Sequence, residues 1–331
     1  MLMTSLSLVS RRAAVCCIAI GLVGGAMPAQ AESDYPSHPI TLVVPLPAGS
    51  DTDTIARLMA DGLSHSLKQP VVVENRVGAG GQIAMKYVAS AKPDGYILAA
   101  PFQAALTLVP HIRRTPPYDP QRDFTPIGRF GSLGIALVVP ADSPLKSFDQ
   151  LIAKAKAEPG KLTFASFGVG SGGHLAGEML NAAAGTNIVH VPYKGTSEAR
   201  VGLLRKEVDM AILGDGLAAL LVQDGKARVL AVPQASRSVL FPDAPTFTEA
   251  GVPLATQGWV GLVGPAGLPA PVVKKLEAAL KDAAATPGLA DRLKNIGLQL
   301  APTDAAGFST IIRDDYALWG KAVDIAGIEK N

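Results

Sequence analysis

The sequence predicts an α/β fold, with helices packed on both faces of parallel-rich sheets. Three observations predict it. Short apolar runs alternate along the chain with amphipathic segments at helical spacing. Gly-containing turns fall between the end of a strand run and the start of a helical one, the place where open parallel sheets bind ligands. The composition is that of a globular chain, with 331 residues, 48% hydrophobic and 18% charged. That length suits one large domain or two of about 100–200 residues. No internal repeat, low-complexity tract or charge block interrupts the pattern.

The first thirty or so residues read as a leader outside the fold. Arg11 and Arg12 precede the apolar run AAVCCIAIGLVGGAM, which ends in Ala29-Gln30-Ala31. A charged start, an apolar stretch of about 7–15 residues and an A-x-A end describe a secretory signal, here residues 1–31 with cleavage near Ala31. The run is too short and too glycine-rich for a comfortable membrane span. Ser10-Arg11-Arg12 has the start of a twin-arginine signal without the rest of that pattern, so Sec and twin-arginine export both stay open.

Two consequences follow from cleavage. Cys16 and Cys17 leave with the leader, so the mature chain has no disulfide, thiolate metal site or cysteine nucleophile. Removing Arg11 and Arg12 takes Lys+Arg from 30 to 28, against 28 for Asp+Glu. With no net charge, no global field draws in nucleic acid or anionic lipid. Aromatics, at 5%, are too sparse for stacking platforms.

The elements then follow in order. Ile40, Leu42, Val44 and Leu46 alternate with Thr41, Val43 and Pro45 as a half-buried strand. Pro47-Ala48-Gly49-Ser50 leads into a helix carrying Ile55, Leu58, Met59 and Leu63, with Asp53 expected as its cap. Val71-Val72-Val73 is a strand, followed by the turn Gly78-Ala79-Gly80-Gly81 and a second helix. Pro93-Asp94-Gly95 turns into the strand Tyr96-Ile97-Leu98. Leu133–Val139 reads as one strand, and a helix starts near Phe148. The strand Leu162–Ala165 precedes a Gly-rich turn and a helix, and the strand Asn187–Val191 comes after. Pro271 suits the first turn of a helix that buries Val272, Leu276, Leu280 and Ala283. The last helix starts near Asp304 and carries Ile311, Ile312 and Trp319.

Several motifs suggest chemistry. Gly168-Val169-Gly170-Ser171-Gly172-Gly173 is a literal G-x-G-x-x-G between a strand and a helix, the local context of a dinucleotide fingerprint. It lies mid-chain, and the next strand ends in Val191-Pro192-Tyr193-Lys194, with no acid for a ribose hydroxyl. What remains is the physics of a helix start, whose free N–H groups and dipole favour an anion. A nucleophile elbow around Ser171 lacks its first glycine, which is Val169, and His174 is too near in sequence to act easily as its base. The histidines His38, His65, His111, His174 and His190 show no metal spacing. His65 reads as a solvated helix residue, while His174 reads equally well as a partner of the loop backbone or of a ligand. Val73-Glu74-Asn75-Arg76 reads as a strand end with a local ion pair, and Trp259 as packing.

Taken together, these pieces resemble the Bug-type extracytoplasmic substrate-binding receptors of tripartite tricarboxylate transporters. The resemblance is carried by Pro45-x-Pro47-Ala48-Gly49 with Thr52-Asp53, and by Val72–Arg76 with Gly78-Ala79-Gly80-Gly81. It continues through Pro93-Asp94-Gly95-Tyr96, Tyr118-Asp119-Pro120 with Asp123-Phe124, and Ser166-x-Gly168-x-Gly170 with His174-Leu175. His190-Val191-Pro192-Tyr193-x-Gly195, Pro242-Asp243-x-Pro245-Thr246, Glu249-Ala250-Gly251 and Trp259 complete it. Each piece is weak alone; their order over the whole mature chain is specific.

The resemblance implies a two-lobed, type II Venus-flytrap fold of the periplasmic binding proteins, with a parallel-rich sheet in each lobe. Residues 35–130 with 246–331 would form one lobe and 131–245 the other. A small carboxylate would lie between them, pinched by Ala48, Gly49, Ser50, Asp51 and Thr52 on one loop and Ser166, Gly168, Gly170, Ser171 and His174 on the other. The implied protein is a periplasmic monomer without catalysis, cofactor or metal, passing an organic acid or amino acid to permease subunits. A ligand sensor for a signalling kinase would use the same site, and a secreted hydrolase would need a nucleophile–base pair. Leu46 stands where the family commonly has Phe, Ser50 replaces a second Gly, and Asp51 adds an acid inside the pincer. Ala100–Ala105 replaces a more polar loop, so these departures fall around the expected ligand.

Overall fold

The computed structural model describes residues 35–169, 171–294 and 296–330. The expected leader, with Arg11, Arg12, Cys16, Cys17 and the cleavage point near Ala31, lies outside the described residues, as does Gly170. In chain order the first stretch forms β1 (Ile40–Val44), α1 (Asp51–Leu67), β2 (Val71–Asn75), α2 (Gln82–Ala89), β3 (Ile97–Ala99) and β4 (Phe124–Leu133). The middle forms β5 (Ile135–Pro140), α3 (Phe148–Ala157), β6 (Thr163–Ser166), α4 (Gly172–Ala184), β7 (Val189–Pro192), α5 (Thr196–Leu204), β8 (Met210–Gly214), α6 (Asp215–Gln223) and β9 (Ala227–Ala231). The end forms β10 (Gly258–Pro265), α7 (Ala270–Ala284), α8 (Leu289–Lys294), β11 (Leu298–Leu300) and α9 (Ala305–Ile325).

These strands make two sheets, one ordered β11-β4-β10-β3-β1-β2 and the other β7-β6-β8-β5-β9. The parallel pairs are β1 with β2 and β3, and β6 with β7 and β8, within stretches where strands and helices alternate; β5 and β6, although joined by α3, run in opposite directions. The rest run antiparallel, with β10 against β3 and β4, β11 against β4, and β5 against β8 and β9. The expected single strand over Leu133–Val139 is two, because the chain changes sheets at Gly134. A Cβ at Gly134 would collide with the Asp215 carboxylate and the Gln234 amide. Only glycine lets the chain pass between sheets beside that buried pair.

Amphipathic faces hold the layers together. On α1, Ile55, Leu58, Met59 and Leu63 are buried, each contributing about 1.5–3 kcal/mol. Close approach of α1 to α7 depends on Gly62, where a Cβ would come within 2.5 Å of the Ala283 Cβ. Helix α9 serves both sheets. Its Phe308 and Ile312 pack with Trp259 and Val263 of the first sheet. Its Trp319, Ala322 and Val323 join Leu137, Phe164 and Leu175 under the second. No helix among the described residues is long and apolar enough to cross a membrane.

Candidate functional site

The loop after β1 and the loop after β6 both leave the carboxyl end of a parallel strand and enter a helix through a serine cap. Ser50 caps α1, its Oγ accepting the Asp53 amide at 3.2 Å. The cap expected at Asp53 is thus corrected to Ser50, since the extended backbone of Ser50 turns its hydroxyl onto the first turn. Asp53 points inward instead and is 2% exposed. Its Oδ2 accepts from the Gly49 amide and from Arg57 Nε, each at 2.9 Å, and its Oδ1 accepts from Asn75 Nδ2 at 2.8 Å. Asn75 Nδ2 also reaches the Leu46 carbonyl at 2.9 Å. Asp53 and Asn75 therefore latch the loop to the end of β2. Burial raises the Asp53 carboxyl, but the bonds from Arg57, Asn75 and Gly49 outweigh it and hold the group below the usual carboxylate range.

The latch leaves the tip open. Ala48 and Gly49 are exposed, Gly49 adopts a φ of +82°, and a Cβ there would meet nothing within 4 Å. Thr52 is buried, whereas Asp51 is exposed in the first turn, its carboxyl raised above the ordinary value by the surrounding protein. The first-turn amides of Asp51 and Thr52 have no intrahelical acceptor.

The second loop is organised around a neutral serine. Ser166, fully buried at the end of β6, places its Oγ 2.7 Å from His190 Nε2 on β7. The same Oγ accepts the Gly168 amide at 3.2 Å, donates to the Gly168 carbonyl at 3.1 Å and lies 3.4 Å from Ser171 Oγ. Ser171 caps α4 by accepting the His174 amide at 3.3 Å. Gly168 sits at a φ of +131°, and Gly172 faces open space. Gly173 permits close helix–sheet packing, because a Cβ there would come within 3.0 Å of the Ile212 carbonyl and the Phe167 ring.

Behind this loop His174 stacks on His190, with ring centroids 3.9 Å apart, and His174 Nε2 lies 3.8 Å from Glu178 Oε1. Burial, then the neighbouring His174, pushes His190 down to about 4. Burial lowers His174, and burial, against a hydrogen bond from Asn181, raises Glu178. The structure thus brings Ser166, Gly168, Ser171 and His174 into one hydrogen-bonded turn, and lines Ala48, Gly49, Ser50, Asp51 and Thr52 along the other. Arg57, Asn75, Glu178 and His190 support these loops and were missed as site residues. The strand-end motif Glu74-Asn75-Arg76 carried the signal for Asn75 but read only as a strand end with a local ion pair. The Glu74–Arg76 pair does form, at 2.7 Å, and Arg76 also covers the Tyr87 ring.

The enzymatic motifs do not assemble. The Ser171 hydroxyl is occupied in helix capping. The one serine described beside a histidine nitrogen at these loops, Ser166, is closed to any substrate by burial. Ala100–Ala105 is tied down as well. Phe102 bridges to Val260, Gln103 Nε2 donates to Asp315 Oδ2 at 3.0 Å, and the Tyr118 hydroxyl donates to the Ala105 carbonyl. Trp259 is packed edge-on to Phe308 at 5.0 Å and also donates to Asp315. A cavity of about 780 Å³ opens elsewhere, between the start of α3, strand β9 and residues 240–250, and includes neither loop.

Two sheets joined by crossing strands, with glycine loops at the carboxyl ends of their parallel strands, define the class of two-lobed solute-binding receptors. The chain belongs to the tripartite tricarboxylate transporter family of receptors, whose model matches residues 55–328. Protein BugT of Bordetella pertussis is 34% identical over 329 residues, covering 96% of this chain and 98% of BugT. A solved R. palustris protein with adipate is 32% identical, covers 89% of this chain and 99% of its own, and superimposes with a TM-score of 0.75. MatC of Rhodopseudomonas palustris with bound malate is 28% identical, covers 87% and 100%, and has a TM-score of 0.71. The chain is accordingly a solute receptor and not an enzyme.

Proposed function

We propose that this receptor captures a small organic acid in the periplasm, as a monomer, and delivers it to the membrane subunits of a tripartite transporter. The observation that carries the reading is the pair of serine-capped helix starts, each following a parallel strand, with Ala48 and Gly49 exposed on one loop and Gly168 and Gly172 half-buried on the other. First-turn amides and the helix dipole favour an anion at both. A carboxylate has two oxygens and could take donors from both loops, Ala48–Thr52 on one side and Ser166–His174 on the other. Gly49 contributes openness rather than its amide, which is bound to Asp53. Buried Ser166 and His174 act by shaping the loop. Adipate and malate, held by the two R. palustris proteins, are both small dicarboxylates. Hydrogen bonds to a charged group contribute about 1.5–3 kcal/mol each. Micromolar affinity needs about 8 kcal/mol, so a few such bonds with lobe closure suffice.

Residues 35–130 with 246–331 would then close against 131–245 about the strand crossings. Calorimetry of the mature chain against malate, adipate, citrate, simple monocarboxylates and amino acids tests the reading. Saturable one-to-one binding of at least one acid is expected, with a smaller radius of gyration by small-angle scattering. Binding of none of them, or tight binding that survives substitution of both loops, would overturn it.

A further inference from the structure

Three side chains that the sequence keeps apart converge behind the second loop. His174 stands in the first turn of α4, Glu178 one turn later on the same face, and His190 on the adjoining strand β7. One donor atom from each lies within 4.8 Å of the other two. We propose that His174, Glu178 and His190 form a binding site for a divalent transition-metal ion of the zinc, nickel or copper type.

The donor set supports that class. Two imidazoles and one carboxylate suit borderline cations, whereas magnesium and calcium prefer all-oxygen shells. An imidazole ligates through an unprotonated ring nitrogen, so metal affinity should weaken as pH falls. His190 is also held from the strand side by Ser166 Oγ at 2.7 Å, the kind of outer partner that orients ligating histidines. Three protein donors leave a fourth position of a tetrahedral ion for water or for an oxygen of a bound acid.

Loading requires movement. Stacked rings do not aim two nitrogens at one point, so one imidazole must turn about its Cβ–Cγ bond. Donor atoms must also draw in to about 3.4 Å, the separation of two ligands at tetrahedral angles around one zinc. His174 follows the cap residue Ser171 by three positions, and Ser166 anchors both His190 and Gly168. A metal here would therefore set the shape of the loop that the proposed function assigns to the solute. That link rests on the receptor reading, but metal binding itself does not.

The test uses the tag-free mature chain, stripped with a chelator and titrated with zinc or nickel chloride in the absence of any organic acid. One equivalent should bind with a Kd tighter than about 10 µM, while magnesium chloride gives no heat. His174→Asn, His190→Asn and Glu178→Gln should each weaken zinc by more than the roughly 10–100-fold that loss of an outer partner costs. Circular dichroism confirms that each variant is folded. Anomalous diffraction from zinc-soaked crystals of the unaltered chain needs no variant, and a peak among the three side chains is expected. Absent binding, affinity unchanged in the variants, or a peak at other residues would overturn the site. Any of these outcomes leaves solute binding, measured separately, to stand or fall alone.

Discussion

The two loops follow one plan, strand then small residues then serine-capped helix, yet they are locked by opposite means. The loop before α1 is held by a buried charge, with Asp53 gathering Gly49, Arg57 and Asn75. The loop before α4 is held by neutral groups, with Ser166 gathering Gly168, Ser171 and His190. A carboxylate near the proposed anion site would repel an acid ligand unless compensated. The first loop compensates it with Arg57, whereas the second needs no such partner. The backbone geometry is thus the shared requirement, and the chemistry that fixes it is free to differ.

Breaking the charged latch should have the largest effect. Asp53→Ala removes the acceptor of the Asn75 and Gly49 bonds, which costs about 3 kcal/mol of stability, with nothing counted for the exposed Arg57. Urea denaturation reads that loss, and calorimetry should show solute affinity falling at least tenfold. Because its pKa is depressed, Asp53 stabilises the fold above the ordinary carboxylate range, and that stability is lost as pH falls through its folded value. Stability unchanged in Asp53→Ala would mean that the loop does not need the latch.

A carboxylate at another helix start shows what happens without a cation. Asp215 opens α6 at the strand crossing and is 4% exposed. It accepts from Gln234 Nε2 at 3.3 Å and Ser238 Oγ at 2.5 Å, while its Oδ1 and Gln234 Oε1 are both buried without a partner. Burial, against the Ser238 and Gln234 bonds, raises its pKa to about 6. A raised carboxyl favours the fold fully at low pH and loses that contribution as pH rises through about 6. From a starting value of 3.8 the cost above pH 6 is about 3 kcal/mol. Asp215→Asn, an amide able to donate to Gln234 Oε1, should be about 2–3 kcal/mol more stable than the parent at pH 8. That advantage should shrink towards zero near pH 4. A constant difference across pH would show that Asp215 does not titrate in this range.

Two smaller tests separate approach from strain. Gly172→Ala puts a methyl group into open space at the start of α4 without a positive φ. Stability should hold while affinity falls about tenfold, or 1.4 kcal/mol, if a ligand approaches that amide. Gly49→Ala, at a φ of +82°, should in contrast cost about 1 kcal/mol of stability as well. Asp51→Asn should shift ligand ranking towards polycarboxylates by about fivefold, since like charges about 4 Å apart in water repel by about 1 kcal/mol. Calorimetry with citrate, malate and a monocarboxylate checks this, and an unchanged ranking would place Asp51 outside selectivity.

What the sequence by itself determined is whatever lies within a few residues or follows a period. The strands β1, β2, β3, β6 and β7, the amphipathic helices α1, α7 and α9, the buried face Ile55, Leu58, Met59 and Leu63, and the start of the last helix near Asp304 follow from such local patterns. The order of motifs from Pro45 to Trp259 was enough to identify the family. Only the tertiary structure decided which way Asp53 turned, because that choice depends on Asn75, 22 residues away. It alone brought His190 onto Ser166 across 24 residues and stacked it on His174. It placed the switch between sheets at Gly134, where Asp215 and Gln234 fill the space a side chain would need. A spacing of three or four residues is set by helix geometry alone. A pairing across two strands depends on sheet register and on burial that excludes competing partners, and no local pattern records either.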